Sequence, residues 1–165
     1  MTRKPELTPT TGRQVVVATL AGAVVGWMIL SIFDLLNVFP PVAPWSLSVL
    51  LVLLGVAAIV YARALPKRLE QRRVPALEAV RAMVMAKSLI ATGALLAGGH
   101  VIYVGRWLAS MAAAVPAARV WHGLVTIGAA AFCSWGGWIL ERACMIDGDG
   151  NDADPGEDQE ISEPA

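Results

Sequence analysis

The chain has 165 residues, of which 56% are hydrophobic and 16% charged, and its mean hydropathy is +0.60. Soluble domains run nearer 45–50% apolar and about 25% charged, so this composition argues against a water-soluble domain and points to lipid as the main solvent. The formal net charge of zero hides an asymmetry: residues 1–145 hold all 13 Lys and Arg with 5 acids, a net +8, and residues 146–165 hold the other 8 acids and no base. A basic body with an acidic tail is not a mixed soluble surface.

A membrane crossing needs about 20 largely apolar residues, and four stretches meet that length. The first, residues 15–33, reads VVVATLAGAVVGWMILSIF. It is longer than the apolar core of a signal peptide and no A-x-A cleavage site follows it, so a retained anchor is expected after the short segment 1–13. Ala18, Gly22 and Gly26 recur at four-residue spacing in it, a small-residue face suited to close helix packing. That face serves either neighbours in the same chain or a homo-oligomer.

The turn that follows, NVFPPVAPW, carries three prolines, which disfavour helix in the residues before them and favour a short extended reversal. The second span covers residues 45–62. The loop after it, 63–81, holds six bases against Glu70 and Glu78 and is expected to contact anionic lipid. Pro75 is well placed as a first helical residue, so the third helix should start ahead of its span, 84–108.

The third span contains Lys87 and His100. Helical geometry puts Lys87 on one face with Ala91, Ala94 and Gly98, a stripe where helices can approach closely. His100 lies 13 residues further on, about 20 Å along the axis and about 140° around it, so the two are not one site. In the fourth span, 120–140, the face leading back from Glu141 holds Gly137, Ser134, Ala130 and Gly123. The two stripes are expected to pack, with Lys87 reaching Glu141 as a structural ion pair, or a nearby headgroup, at the membrane edge, where a lysine can snorkel at low cost.

Lys and Arg alternate in density along the loops: Arg3, Lys4 and Arg13, then none in 34–44, then six in 63–81, then only Arg106 and Arg119, then Arg142. The positive-inside rule places both termini in the cytoplasm, giving a multi-pass cell-membrane protein. Asp34, His100 and His122 fall toward the opposite side without a ligand spacing, so no metal site is read there; Asp34 is expected to pair with Arg106 or Arg119. The tail DGDGNDADPGED has acids at calcium-loop spacing but Asp152 where the sharp turn requires glycine, and it reads as a disordered, solvated acidic segment. Cys133 and Cys144 form no disulfide framework or zinc pattern. Ser110, Ser134 and Cys133 have no base and orienting acid in a recognisable arrangement, so no catalysis and no cofactor are expected. Nucleic acid is not an expected partner, because the bases follow the membrane's inner face.

PPVAPWSLSVLL after the first span, EAVRAMVMAKSLIATGALLAGG through the third and ILERAC closing the fourth resemble the family of domain of unknown function 3180 (DUF3180). The resemblance covers most of residues 14–145 and implies a small four-helix membrane protein with no established activity. It also implies recurring positions at Arg81, Lys87, Glu141 and Arg142. Met145 follows Cys144 where the family tends to have arginine.

The expected architecture is all-α: four transmembrane helices in one domain, 14–145, followed by the tail 146–165. The expected function is a non-enzymatic scaffold or modulator of a membrane partner. The alternative is a small transporter or ion-conducting oligomer, which requires a wet cavity joining Lys87 to His100.

Overall fold

A computed structural model describes residues 9–38, 40–41, 44–70, 76–108 and 114–146; the side chains of residues 66–70, 76–79, 114–116 and 146 are not among those described. Expectations for Arg3, Lys4, Lys67, Arg68, Arg72, Arg73, Pro75, Ser110 and the acidic tail therefore lie outside the described parts. The chain is all-α, with helices α1 (Gly12–Leu35), α2 (Trp45–Glu70), α3 (Ala76–Leu108) and α4 (Ala114–Ile146). Each contains a segment long and apolar enough to cross a membrane: Gly12–Leu35, Trp45–Leu65, Val80–Leu108 and Ala117–Met145.

The ends of the helices follow from local chemistry. Thr11 opens α1, and its backbone N–H donates to the Gln14 Oε1 at 3.1 Å. At the other end, Asn37 adopts a left-handed φ of 52°. Its N–H donates to the Asp34 carbonyl at 3.1 Å, and the Val38 N–H donates to the Phe33 carbonyl at 3.1 Å. This is the Schellman arrangement, with asparagine where glycine is commonest, and it stops α1 just before the proline turn.

α2 and α4 run past the apolar stretches read from the sequence. α2 continues through Pro66 to Glu70, although proline has no N–H to donate to Ala62. Leu65, immediately before it, is buried. α4 begins at Ala114, so Pro116 falls in its first turn, where the missing N–H is unpaired in any helix.

The four helices pack in the order α1, α3, α4, α2. The α3–α4 contact is the most extensive, α2 rests mainly on α4, and α1 rests on α3 alone among the described elements. Small residues set these contacts. A Cβ on Gly22 would strike the backbone of Leu95, and one on Gly98 would strike the Thr19 carbonyl, so α1 and α3 touch backbone to backbone. Gly93 and Gly137 do the same for α3 and α4, and Gly136 meets Gly55 on α2. Leu51, Ala129, Ala130 and Cys133 form one buried cluster; Ala58, Ala62, Ala86 and Leu140 form a second.

The small-residue stripe on α3 is rotated from the expected one. The face against α4 carries Ala86, Ile90 and Gly93. Ala91 is exposed, and Gly98 faces α1 rather than α4. α3 lies between two neighbours and needs two small faces, so one continuous stripe through Lys87, Ala91, Ala94 and Gly98 does not describe its packing. Ala94 itself is buried. On α1, Gly22 and Gly26 approach α3, at Leu95 and Gly99, and Ala18 is half-buried on the same helix. This leaves the GxxxG face occupied within the chain.

Candidate functional site

Polar side chains concentrate at the two ends of the helices. At one end, Glu141 lies in the last turns of α4 and is 1% exposed. Its Oε1 accepts the backbone N–H of Thr10 at 2.8 Å and the Thr10 hydroxyl at 2.7 Å. The Lys87 Nζ stands 3.9 Å from the same oxygen, with 42% of its side chain exposed. A buried carboxylate needs hydrogen-bond partners as well as a counter-charge. Thr10 supplies the first and Lys87 the second, so the residues just ahead of α1 are tied to α3 and α4. Arg142, the next residue, turns outward and stacks its guanidinium 3.9 Å from the Trp138 ring. Arg81 is exposed on α3 at this end.

The sequence pattern does not point to Thr10. It sits outside every apolar run, in the stretch TPTTG, and no periodicity links it to Glu141, 131 residues away. A buried carboxylate near the end of an apolar helix requires donors, but nothing in the sequence singles out Thr10 as one of them.

Between these two ends, hydroxyls join helices directly. The Thr126 hydroxyl donates to the His122 carbonyl at 2.9 Å. Its single hydrogen is thereby used, so the Ser48 hydroxyl is the donor in the buried 2.9 Å contact between Ser48 and Thr126. Ser134 donates to the Ile90 carbonyl of α3 at 3.1 Å.

At the proline-turn end, Arg106 pairs with Asp34 at 2.7 Å, both half exposed. Arg119 takes another course. Its Nη1 donates to the Pro40 carbonyl at 2.8 Å, and its guanidinium lies 4.7 Å from the Trp107 ring centroid. The end of α1 is thereby held to α3 through Asp34, and the turn to α4 through Pro40. His100 and His122 each place Nδ1 on the carbonyl four residues earlier, Leu96 at 2.9 Å and Ala118 at 2.6 Å. A carbonyl only accepts, so Nδ1 carries the proton in both. His122 also meets Trp45 edge-on at 4.7 Å. Among the described residues, no three His, Cys, Asp or Glu side chains gather as a metal site, and Asp34, His100 and His122 stay apart in separate contacts. Neither Cys133 nor Cys144 is in a disulfide.

Two cavities open at this same end. The larger, about 390 Å³, lies between α1 and α3 under the proline turn and reaches His100 and Tyr103. The smaller, about 280 Å³, is bordered by Asp34, Arg106 and Trp107. Neither is lined by Lys87.

No curated protein and no solved structure matches the chain. The family described as "Protein of unknown function (DUF3180)" matches residues 15–147, most of the chain, and carries the Lys87 and Glu141 segments within that match. The protein belongs to the DUF3180 family.

Proposed function

We propose that the protein is a four-span membrane protein with both termini in the cytoplasm, and that it acts without catalysis as a scaffold or modulator of a membrane partner. The observation that carries this reading is the open row of helices. α1 rests on one neighbour and buries only 11% of its apolar window. The remainder presents Leu20, Val24, Trp27, Met28 and Ile32 outward along its length. Exposed apolar area on that scale requires lipid or another protein. The polar side chains inside the row support the same reading, since Glu141, Ser48, Thr126 and Ser134 are each bonded across elements. The basic residues around 63–81 add an anionic-lipid contact on the cytoplasmic side.

The transporter alternative calls for a wet path between Lys87 and His100, and the cavity that reaches His100 is walled by apolar side chains. Photo-crosslinking from exposed α1 positions such as Val24 and Met28 in native membranes, followed by recovery of the full-length chain, tests the scaffold reading. One abundant crosslinked membrane protein is expected. Recovery of the chain only with itself, together with ion flux in liposomes, would overturn the proposal.

A further inference from the structure

We propose that the acidic tail, residues 147–165, docks on the exposed arginines at the end of the helices where α4 stops, and holds that surface in competition with anionic lipid headgroups. The proposal rests on the bilayer reading above and not on which side of the bilayer this end faces.

The surface follows from the alternation of the helices. α1 and α3 begin at this end, and α2 and α4 finish there. Two sets of contacts fix the level. Thr10 and Lys87 meet Glu141, and Ala62, Ala86 and Leu140 pack in one buried cluster. An arginine stands close in sequence to each anchor: Arg13 just after Thr10, Arg63 next to Ala62, Arg81 beside the buried Ala82, and Arg142 next to Glu141. All four are exposed, and none pairs with a carboxylate among the described residues. Asp34 and Glu141 are the acids among the described side chains. Asp34 is on Arg106 at the opposite end, and Glu141 is buried against Thr10 and Lys87. The arginines at this end are therefore left without a counter-charge, and the sequence between Arg63 and Arg81 adds four bases against two acids.

The tail has the charge and the attachment point to cover them. α4 ends at Ile146, one turn past Arg142, so the tail leaves the helix at the arginine-bearing end. It holds eight acids and no base. Residues 147–165 can reach about 60 Å at ~3.3 Å each, whereas four helices packed at roughly 8–10 Å span about 30 Å between their outer axes. Every one of these arginines is thus within reach. A guanidinium takes a carboxylate through two parallel N–H donors, but exposed pairs are individually weak. Docking therefore needs several pairs at once, and an attached segment offers them at an effective concentration of roughly millimolar. That attachment favours the chain's own tail over the tail of a second copy. Lipid phosphates engage the same donors, so a bilayer rich in them displaces the tail.

The test places spin labels by Val80→Cys, exposed beside Arg81, and by Ser162→Cys, in the full-length chain with Cys133→Ala and Cys144→Ser, in phosphatidylcholine nanodiscs. A short-distance population is expected at ~0.1 M salt and should be lost at ~1 M, where the Debye length falls from about 10 Å to about 3 Å. It should also be lost when phosphatidylglycerol replaces much of the phosphatidylcholine, and when every tail acid is changed to its amide. Arg63→Gln with Arg81→Gln should reduce it. A label at Pro41→Cys, in the proline turn at the opposite end, should show no such population with the tail label. The wild-type chain gives a reading that does not depend on variants folding. A carbodiimide, which condenses a carboxylate with an amine, is expected to join tail carboxylates to Lys4 or Lys67 at the lower salt and not at the higher. Absence of the short population in phosphatidylcholine, its persistence at high salt or on the amide tail, or equal size with and without phosphatidylglycerol would each overturn the proposal. So would its disappearance on dilution with unlabelled chains, which would assign the contact to a second copy. A chain that withstands alkaline carbonate washing of membranes yet shows no short population fails this proposal alone and leaves the bilayer reading standing.

Discussion

At the residue scale, the structure divides the work of holding Glu141 between two kinds of partner. Thr10 gives two short hydrogen bonds to a buried oxygen, and Lys87 gives a 3.9 Å ion pair from a side chain 42% exposed. Hydrogen bonds to charged groups contribute about 1.5–3 kcal/mol, whereas the Lys87 ammonium is 3.9 Å away and partly in solvent, which weakens its attraction for the buried carboxylate. Thr10→Ala should therefore lower stability in detergent by more than Lys87→Met does. Thermal unfolding of the two variants measures the order, and a larger loss for Lys87→Met would show that the lysine is the main partner. Lys87 and Glu141 are legible in the sequence because each interrupts an apolar run and helical rise brings them to similar depth. Thr10 is not legible that way. It lies ahead of the first helix, and its contact depends on where α4 ends in space rather than on any local pattern.

At the element scale, the four apolar runs and their approximate limits are legible from length and hydropathy alone, and the helices exceed them where packing outweighs a local breaker. α2 runs through Pro66 just after the buried Leu65, and α4 takes Pro116 into its first turn, where proline is tolerated. The close of α1 depends on Asn37 in the left-handed region. A β-branched residue there pays a steric cost of about 1–2 kcal/mol, whereas glycine meets none. Asn37→Val should loosen the proline turn and weaken the Asp34–Arg106 and Arg119–Pro40 ties, while Asn37→Gly should leave stability unchanged or raise it slightly. Unfolding midpoints together with protease sensitivity within residues 36–44 measure this; equal behaviour of the two variants would contradict the cap's role.

For the whole molecule, the order α1, α3, α4, α2 was not legible. Small residues line every helix, so the stripe through Lys87, Ala91, Ala94 and Gly98 could be matched to α4 on paper, while in space α3 shares its small residues between two neighbours. The order matters because consecutive helices α1 and α2 lie at opposite ends of the row. The nine residues 36–44, at ~3.3–3.6 Å each, can span about 30 Å, and they reach α4 on the way through Arg119 and Pro40. Pro40 thus ties the turn to α4 through Arg119.

The central claim, a four-span chain with both termini inside, is tested most directly by cysteine accessibility in intact cells. In a chain with Cys133→Ala and Cys144→Ser, single cysteines are placed by Pro41→Cys in the proline turn and by Arg63→Cys near the inner end of α2. A membrane-impermeant maleimide is expected to label the Pro41→Cys chain in intact cells and the Arg63→Cys chain only after lysis. Labelling of Arg63→Cys in intact cells with Pro41→Cys protected, or of both sites before lysis, would contradict the orientation and the account built on it.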